Sequence, residues 1–357
     1  MSKPTTAAPQ DYETVLKDSS KEVAAFEEQK SALQKFRNFL HASPSAVSLI
    51  VLVMSIAIFG VLLGSKFFSL FSLTLILQQV AITGIIGAAQ SMVIMTAGID
   101  LSVGAIMVLS SVIMGQSVVH YGVPPAVAVA LGFLVGALCG FINGFLISRV
   151  KLPPFIVTLG MWQIVLATTY LISANETIRS QDIDTVAPLL HFFGQNIRLG
   201  GAVLTYGVIA SVILVAVLWY ILNHTAWGRY VYALGDDPAA AELSGVNVKK
   251  ILIQVYVISG IICALAGWAI IGRVGSVSPN VGQFANIESI TAVVIGGISL
   301  FGGRGSILGM MFGALIVGVF QLGLRLLGTD VQWTYLLIGV LIIAAVAVDQ
   351  WIRKAGR

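Results

Sequence analysis

The chain has 357 residues, of which 57% are hydrophobic and only 10% charged, with a mean hydropathy of +0.94. A soluble domain carries about a quarter charged residues, so the composition excludes an ordinary soluble enzyme and indicates an all-α integral membrane protein. The formal charge of +4 comes mostly from Lys and Arg at the ends of apolar runs. That is the pattern of cytoplasmic membrane loops, and it implies no nucleic-acid partner.

Residues 1–44 differ in kind from the rest. They mix Lys17, Lys21, Lys30, Lys35 and Arg37 with acidic residues and hold no apolar run long enough for a signal peptide. The spacing of Val23, Phe26, Leu33, Phe36 and Leu40 predicts either an amphipathic helix on the membrane surface or a solvated tail. Residues 45–350 form the transmembrane domain. Runs of about 20 apolar residues place spans at 46–64, 70–89, 90–119 (interrupted), 126–148, 155–173, 201–222, 251–271, 289–303, 306–327 and 331–349. Residues 351–357 make a short C-terminal tail. Arg149, Lys151, Arg229, Lys249, Lys250 and Arg304 then share one side with Arg353, Lys354 and Arg357, which predicts both termini in the cytoplasm. Cys139 and Cys263 lie inside apolar runs and are packing residues, not a disulfide framework.

The interruption in the third span is Gly98-Ile99-Asp100-Leu101-Ser102-Val103-Gly104, where Asp100 is the one acidic residue between Gln90 and Val119. A carboxylate at membrane depth costs several kcal/mol, so it either ties down the ends of a broken helix or stands in a transport pathway. The frame G-I-x-L-x-x-G recurs as Gly297-Ile298-Ser299-Leu300-Phe301-Gly302-Gly303. In the span order, one copy lies on an outward segment and the other on an inward one, so the two halves read as an inverted repeat around a central pathway. Gly98, Asp100, Ser102, Gly104, Ser299 and Phe301 are the pathway candidates, with Gln78, Gln79 and Asn143 as further polar groups within spans. Because Asp100 matches Ser299, which carries no charge, the better reading has Asp100 fixing half-helix ends beside the pathway.

Loop 223–250 is the most polar interior piece. Asp237 suits an N-cap, Pro238 the first helical position and Gly245 the left-handed residue after the end, with Ala239 to Leu243 favourable between them. A two-turn helix is unstable alone in water, so it docks on the membrane domain or on a cytoplasmic partner. No G-x-x-x-x-G-K-[ST] occurs, the four histidines are scattered, and no nucleophile elbow is present. The chain therefore has no P-loop, metal-ligand cluster or catalytic residue of its own.

Four blocks together resemble the permease subunit of bacterial ATP-binding-cassette importers for monosaccharides, a group that includes ribose, xylose, galactose and fructose systems. They are Ala97 to Gly104, Leu152 to Gly160, Ala233-Leu234-Gly235 through Ser244-Gly245-Val246, and Ile295-Gly296-Gly297 through Gly305. The resemblance covers most of 70–350. It implies a ten-helix type II importer-like fold in the bacterial inner membrane, paired with a second permease chain, identical or not. It also implies a cytoplasmic ATPase dimer holding ATP and Mg, and a periplasmic sugar-binding protein. Gly235, Asp237, Pro238, Ala240, Ala241 and Gly245 would belong to the coupling loop seated on the ATPase. The overall likeness leans towards a hexose such as fructose. The chain departs from the family pattern at Asp237, where Asn is frequent, and at Asn286, where an acidic residue is common and Glu288 follows instead. The competing reading is an ion-coupled secondary sugar transporter with Asp100 as the ion carrier. It leaves the capped helix of loop 223–250 unexplained.

Overall fold

The computed structural model describes residues 44–355, so the amphipathic stretch read over 19–40 lies outside the described residues. Among the described residues, seven helices are long and apolar enough to cross a membrane. They are α1 (Pro44–Leu63), α2 (Leu70–Met95), α4 (Pro125–Ser148), α5 (Pro154–Ser173), α7 (Tyr206–His224), α10 (Val248–Val274) and α12 (Ile307–Leu326). Shorter apolar stretches lie in α3 (Val103–Val119), α11 (Ala285–Ile295) and α13 (Val331–Ala355). Between these run α6 (Ser180–Val186), α8 (Ala226–Asp236) and α9 (Pro238–Leu243), with a hairpin of β1 (Asn196–Leu199) and β2 (Ala202–Thr205).

Four span limits need correction. The interruption does not split a helix starting at 90, because α2 continues through Met95 and the chain leaves helical geometry only over 96–102. The eighth span is not helical over 289–303, since α11 begins at Ala285 and ends at Ile295 before a loop that Gly297, Gly302, Gly303 and Gly305 carry through positive φ. The sixth span starts at Tyr206, because residues 202–205 pair with β1 around the Gly200-Gly201 turn. The last helix also runs past 350, to Ala355.

α2, α10 and α12 form the middle of the bundle. α2 and α10 are antiparallel, since Gln79 meets Arg273 while Gly98 packs beside Tyr256. α4 lies against α10 with almost no separation. A Cβ on Gly136, Gly140 or Gly260 would fall 2.4, 2.2 or 2.0 Å from a backbone oxygen of the other helix. Lipid offers no hydrophobic drive between helices, so this small-residue approach supplies van der Waals contact instead. The outer helices leave apolar side chains uncovered, such as Val61 and Leu171, as a lipid-facing surface requires.

Two shorter helices, α3 with 17 residues and α11 with 11, start inside the bundle. α3 runs alongside α10, with Gly267 of α10 against the Met107 backbone, whereas α11 runs alongside α2, with Glu288 beside Thr83, and ends at Gly296 against Met310 of α12. They run in opposite directions from one level, where the Gly104 amide donates to Asn286 Oδ1 at 2.6 Å. The inversion expected from the sequence therefore relates α2 and α3 to α10 and α11. The repeated G-I-x-L frame does not mark it, because both copies sit side by side at one end of the bundle, where the Gly303 amide donates to the Met95 carbonyl at 3.0 Å. That is the α9 end. The other end carries the hairpin, α6 and a 3₁₀ turn over Pro188–Gly194, whose Gly194 lies backbone-to-backbone with Gly272.

Gly140→Ala should lower stability by about 1–3 kcal/mol, because its Cβ meets backbone that cannot rotate away. Gly160→Ala, which meets open space on α5, should stay within about 1 kcal/mol of wild type or gain slightly. Thermal unfolding of the detergent-solubilised variants checks both.

Candidate functional site

The site begins where α2 ends. Ala97 takes a left-handed φ of 59°, which turns the chain out of α2 and back into the bundle. Leaving a helix at membrane depth exposes backbone groups that lipid cannot satisfy, and nearby side chains take them up. Asp100 Oδ1 accepts from the Ser102 amide at 2.8 Å and from Ser102 Oγ at 2.6 Å, and Asn143 Nδ2 of α4 donates to Ser102 Oγ at 3.0 Å. Thr158 Oγ1 of α5 donates to the Ile99 carbonyl at 3.1 Å. Asp100, Ser102 and Asn143 are all buried. Asp100 is thus a bracket at the start of α3.

The second Gly-rich block closes on itself and on α2. The Ser299 amide donates to the Arg304 carbonyl at 3.1 Å, and the Phe301 amide donates to Ser299 Oγ at 3.3 Å. Ser299 is buried, whereas Phe301 is half exposed.

The polar loop of 223–250 contains two helices where the sequence predicts one. Thr225 Oγ1 caps α8 by accepting from the Gly228 amide at 3.2 Å, and α8 lies flat on the α9 end. Tyr232 Oη donates to the Gly305 carbonyl at 3.1 Å. At the end of α8, a Cβ on Gly235 would stand 1.8 Å from the Met95 oxygen and 2.5 Å from the Gly303 nitrogen. Three main chains therefore meet at one point: the end of α2, the end of α8 and the second Gly-rich block. Asp237 then caps α9, its Oδ1 accepting from the amides of Ala239 at 2.9 Å and Ala240 at 3.0 Å, with Pro238 at the first position. Gly245 turns the chain at φ 86°. α9 buries only Ala241 and presents Pro238, Ala239, Ala240 and Leu243 outwards, Leu243 at 91% exposure.

A cavity of about 540 Å³ lies elsewhere, among α2, α3, α10, α11 and residues 275–284. Gln79, Thr83, Arg273, Asn280 and Glu288 are among its lining residues. None of Gly98, Asp100, Ser102, Gly104, Ser299 and Phe301 lines it; Gln79, from the wider set of polar residues, does. Arg273 and Glu288 stand in the sequence as residues of an outer loop, so their inward place was missed. Arg273 lies in the last turn of α10 and Glu288 in the first turn of α11, both beyond the apolar runs that set the span limits.

Comparison with known proteins follows the same outline. Residues 72–346 match the family described as branched-chain amino acid transport system / permease component. The chain is 72% identical to the fructose import permease protein FrcC of Rhizobium meliloti, over 98% of each chain. It is 38% identical to the ribose import permease protein RbsC of Escherichia coli strain K12, over 85% of this chain and 92% of the relative. It is 33% identical to the galactose/methyl galactoside import permease protein MglC of the same strain, over 89% and 97%. No solved structure matches.

Gly235→Ala should push α8 off the Met95 and Gly303 backbones, since neither neighbour is a flexible side chain. Limited proteolysis should then cut loop 223–250 several-fold faster than in wild type, with Gly160→Ala unchanged. Equal cutting rates would show that the junction tolerates a methyl group.

Proposed function

The chain belongs to the permease-component family matched over residues 72–346, and from that premise we propose that it carries fructose through the membrane as one half of a permease pair. It is the multi-pass membrane subunit of an ATP-binding-cassette importer for monosaccharides, and ATP hydrolysis belongs to a separate chain. The 72% identity to a fructose import permease, over 98% of each chain, supports fructose. The family's description names amino acids, but these three curated relatives are named for sugars.

The observation that carries the mechanism is the seat of the α8–α9 loop. α9 offers an outward face of small and apolar residues with one carboxylate, Glu242, while α8 is fixed backbone-to-backbone on α2 and the second Gly-rich block. A partner that grips α9 therefore pushes on main chain, with no soft side chains to absorb the motion. In this reading the α9 end and both termini face the cytoplasm. The partner is an ATPase dimer that holds ATP and Mg, and this chain holds no cofactor. Closure of the ATPase drives the α8 junction, and α11 transmits the shift from Gly296 at that end to Asn286 and Glu288 at its other end. Alternating access then follows from rocking of the two protomers. A periplasmic sugar-binding protein delivers the substrate to the hairpin end.

The ion-coupled alternative needs Asp100 to exchange protons or Na⁺ with water. Its carboxylate is buried, bonded to Ser102 twice over, and away from the cavity.

Two substitutions test these roles in vesicles that contain the permease, its ATPase and its binding protein. Ala240→Arg should abolish ATP-dependent fructose uptake, at least 20-fold, while leaving the protein inserted, because it places a long charged side chain on the docking face. Asp100→Asn, which keeps an acceptor oxygen for both Ser102 bonds, should retain uptake within about threefold, and Asp100→Leu should not. Loss of uptake in Asp100→Asn, or uptake that follows an ion gradient without ATP, would favour the ion carrier.

A further inference from the structure

Thr83 lies midway along α2, about 18 Å from Met95 at ~1.5 Å per residue, and its Oγ1 donates to Glu288 Oε2 at 3.5 Å. Glu288 is therefore at mid-depth of the bundle. α11 holds it there, since a helix of 11 residues covers only about 16 Å of a hydrocarbon layer about 30 Å thick. An ionisable group at that depth faces a bundle interior or a water-filled cavity and marks function by default.

The opposite charge is nearby but is not used to neutralise it. Arg273 and Glu288 line the same cavity, yet among the described residues they do not meet as an ion pair. Each is met by a neutral amide instead. Arg273 donates to Gln79 Oε1, and Glu288 Oε1 accepts from Gln321 Nε2 of α12 at 3.1 Å. A pair retained for packing alone would close on itself, because two separated charges at membrane depth are more costly than one contact. Held apart, they leave a donor wall and an acceptor wall with no net charge between them. Ile82, Ile86 and Met107 supply an apolar side.

We propose that this cavity, inside a single protomer, is a monosaccharide site in which Gln79, Thr83, Arg273 and Glu288 bind the sugar hydroxyls. The proposal rests on the sugar-import reading and adds to it a site away from the two Gly-rich blocks. A neutral polyol needs donors and acceptors together with an apolar strip for its C–H face, which is this inventory. A bare cation would be repelled by Arg273, and an anion by Glu288. The volume of about 540 Å³ lies within the ~300–1,000 Å³ of small-molecule sites. Arg273 and Phe284 are exposed at its edge, which gives the site a mouth.

The test uses the full chain in lipid nanodiscs carrying Thr83→Cys, labelled with a small methanethiosulfonate. Cys139 and Cys263 are buried and give little background. Millimolar D-fructose, D-ribose or D-galactose should slow labelling at least threefold, and L-leucine should not. Glu288→Leu, reconstituted with the ATPase and binding protein, should import the protecting sugar at least tenfold more slowly. Labelling that no sugar slows, while the wild-type complex imports one of them with ATP, overturns the site and leaves the importer reading standing. Protection by L-leucine alone, or wild-type import rates in Glu288→Leu, also overturns it. Failure of the wild-type complex to import any of the three removes the importer reading, and this site with it.

Discussion

A helix that begins inside a bilayer has N–H groups with no water to satisfy them. α3 and α11 both begin this way, and much of the interior answers that constraint. Asn286, in the first turn of α11, accepts from the Gly104 amide in the first turn of α3, so a side chain of one start satisfies an amide of the other. Just before α3, Asp100 accepts from the Ser102 amide and hydroxyl, with Asn143 behind them. Asp100, Ser102, Asn143 and Asn286 are thus committed to one another and to the backbone, and their number does not measure how polar the pathway is.

The same commitment separates two zones of the molecule. Towards the α9 end, contacts are main chain on main chain, with glycine at Gly235, Gly302 and Gly303 because there is no room for a Cβ. Such contacts are stiff. Around the cavity, contacts are side chain on side chain, with Arg273 and Glu288 turned to glutamines. Such contacts rearrange with rotamers. α11 joins the two zones along its length.

Much of this was legible in the residues. Ten apolar runs correspond to ten helices, and the caps at Asp237 and Gly245 stand where turn chemistry predicts them. The failures have particular causes. Gln90 to Met95 has the same apolar character as the residues after the break, so hydropathy alone could not assign it to α2. α8 was missed because its amphipathic face is satisfied only by the bundle beneath it. The hairpin had one local signal, Gly200-Gly201, hidden by the apolar residues that follow. The Gly-rich repeat does not report the inversion, because a frame shared by two turns at one end resembles a frame shared by inverted halves. The partners of Glu288 are distant in sequence, so no local pattern could place it at mid-depth.

Contact across such distances bears on the order in which the chain is built. Ser48, near the start of the first helix, donates its hydroxyl to the carbonyl of Ile295, 247 residues later, at 2.8 Å. Met95 receives its bond from Gly303 by the same late arrival. During synthesis the early helices must therefore wait in the bilayer with polar groups unsatisfied until α11 and its loop emerge. Their affinity for lipid has to hold them through that interval, which fits the very apolar α1. A ribosome that stops before residue 295 leaves an insertion intermediate with open hydrogen-bonding groups, a ready mark for membrane quality control.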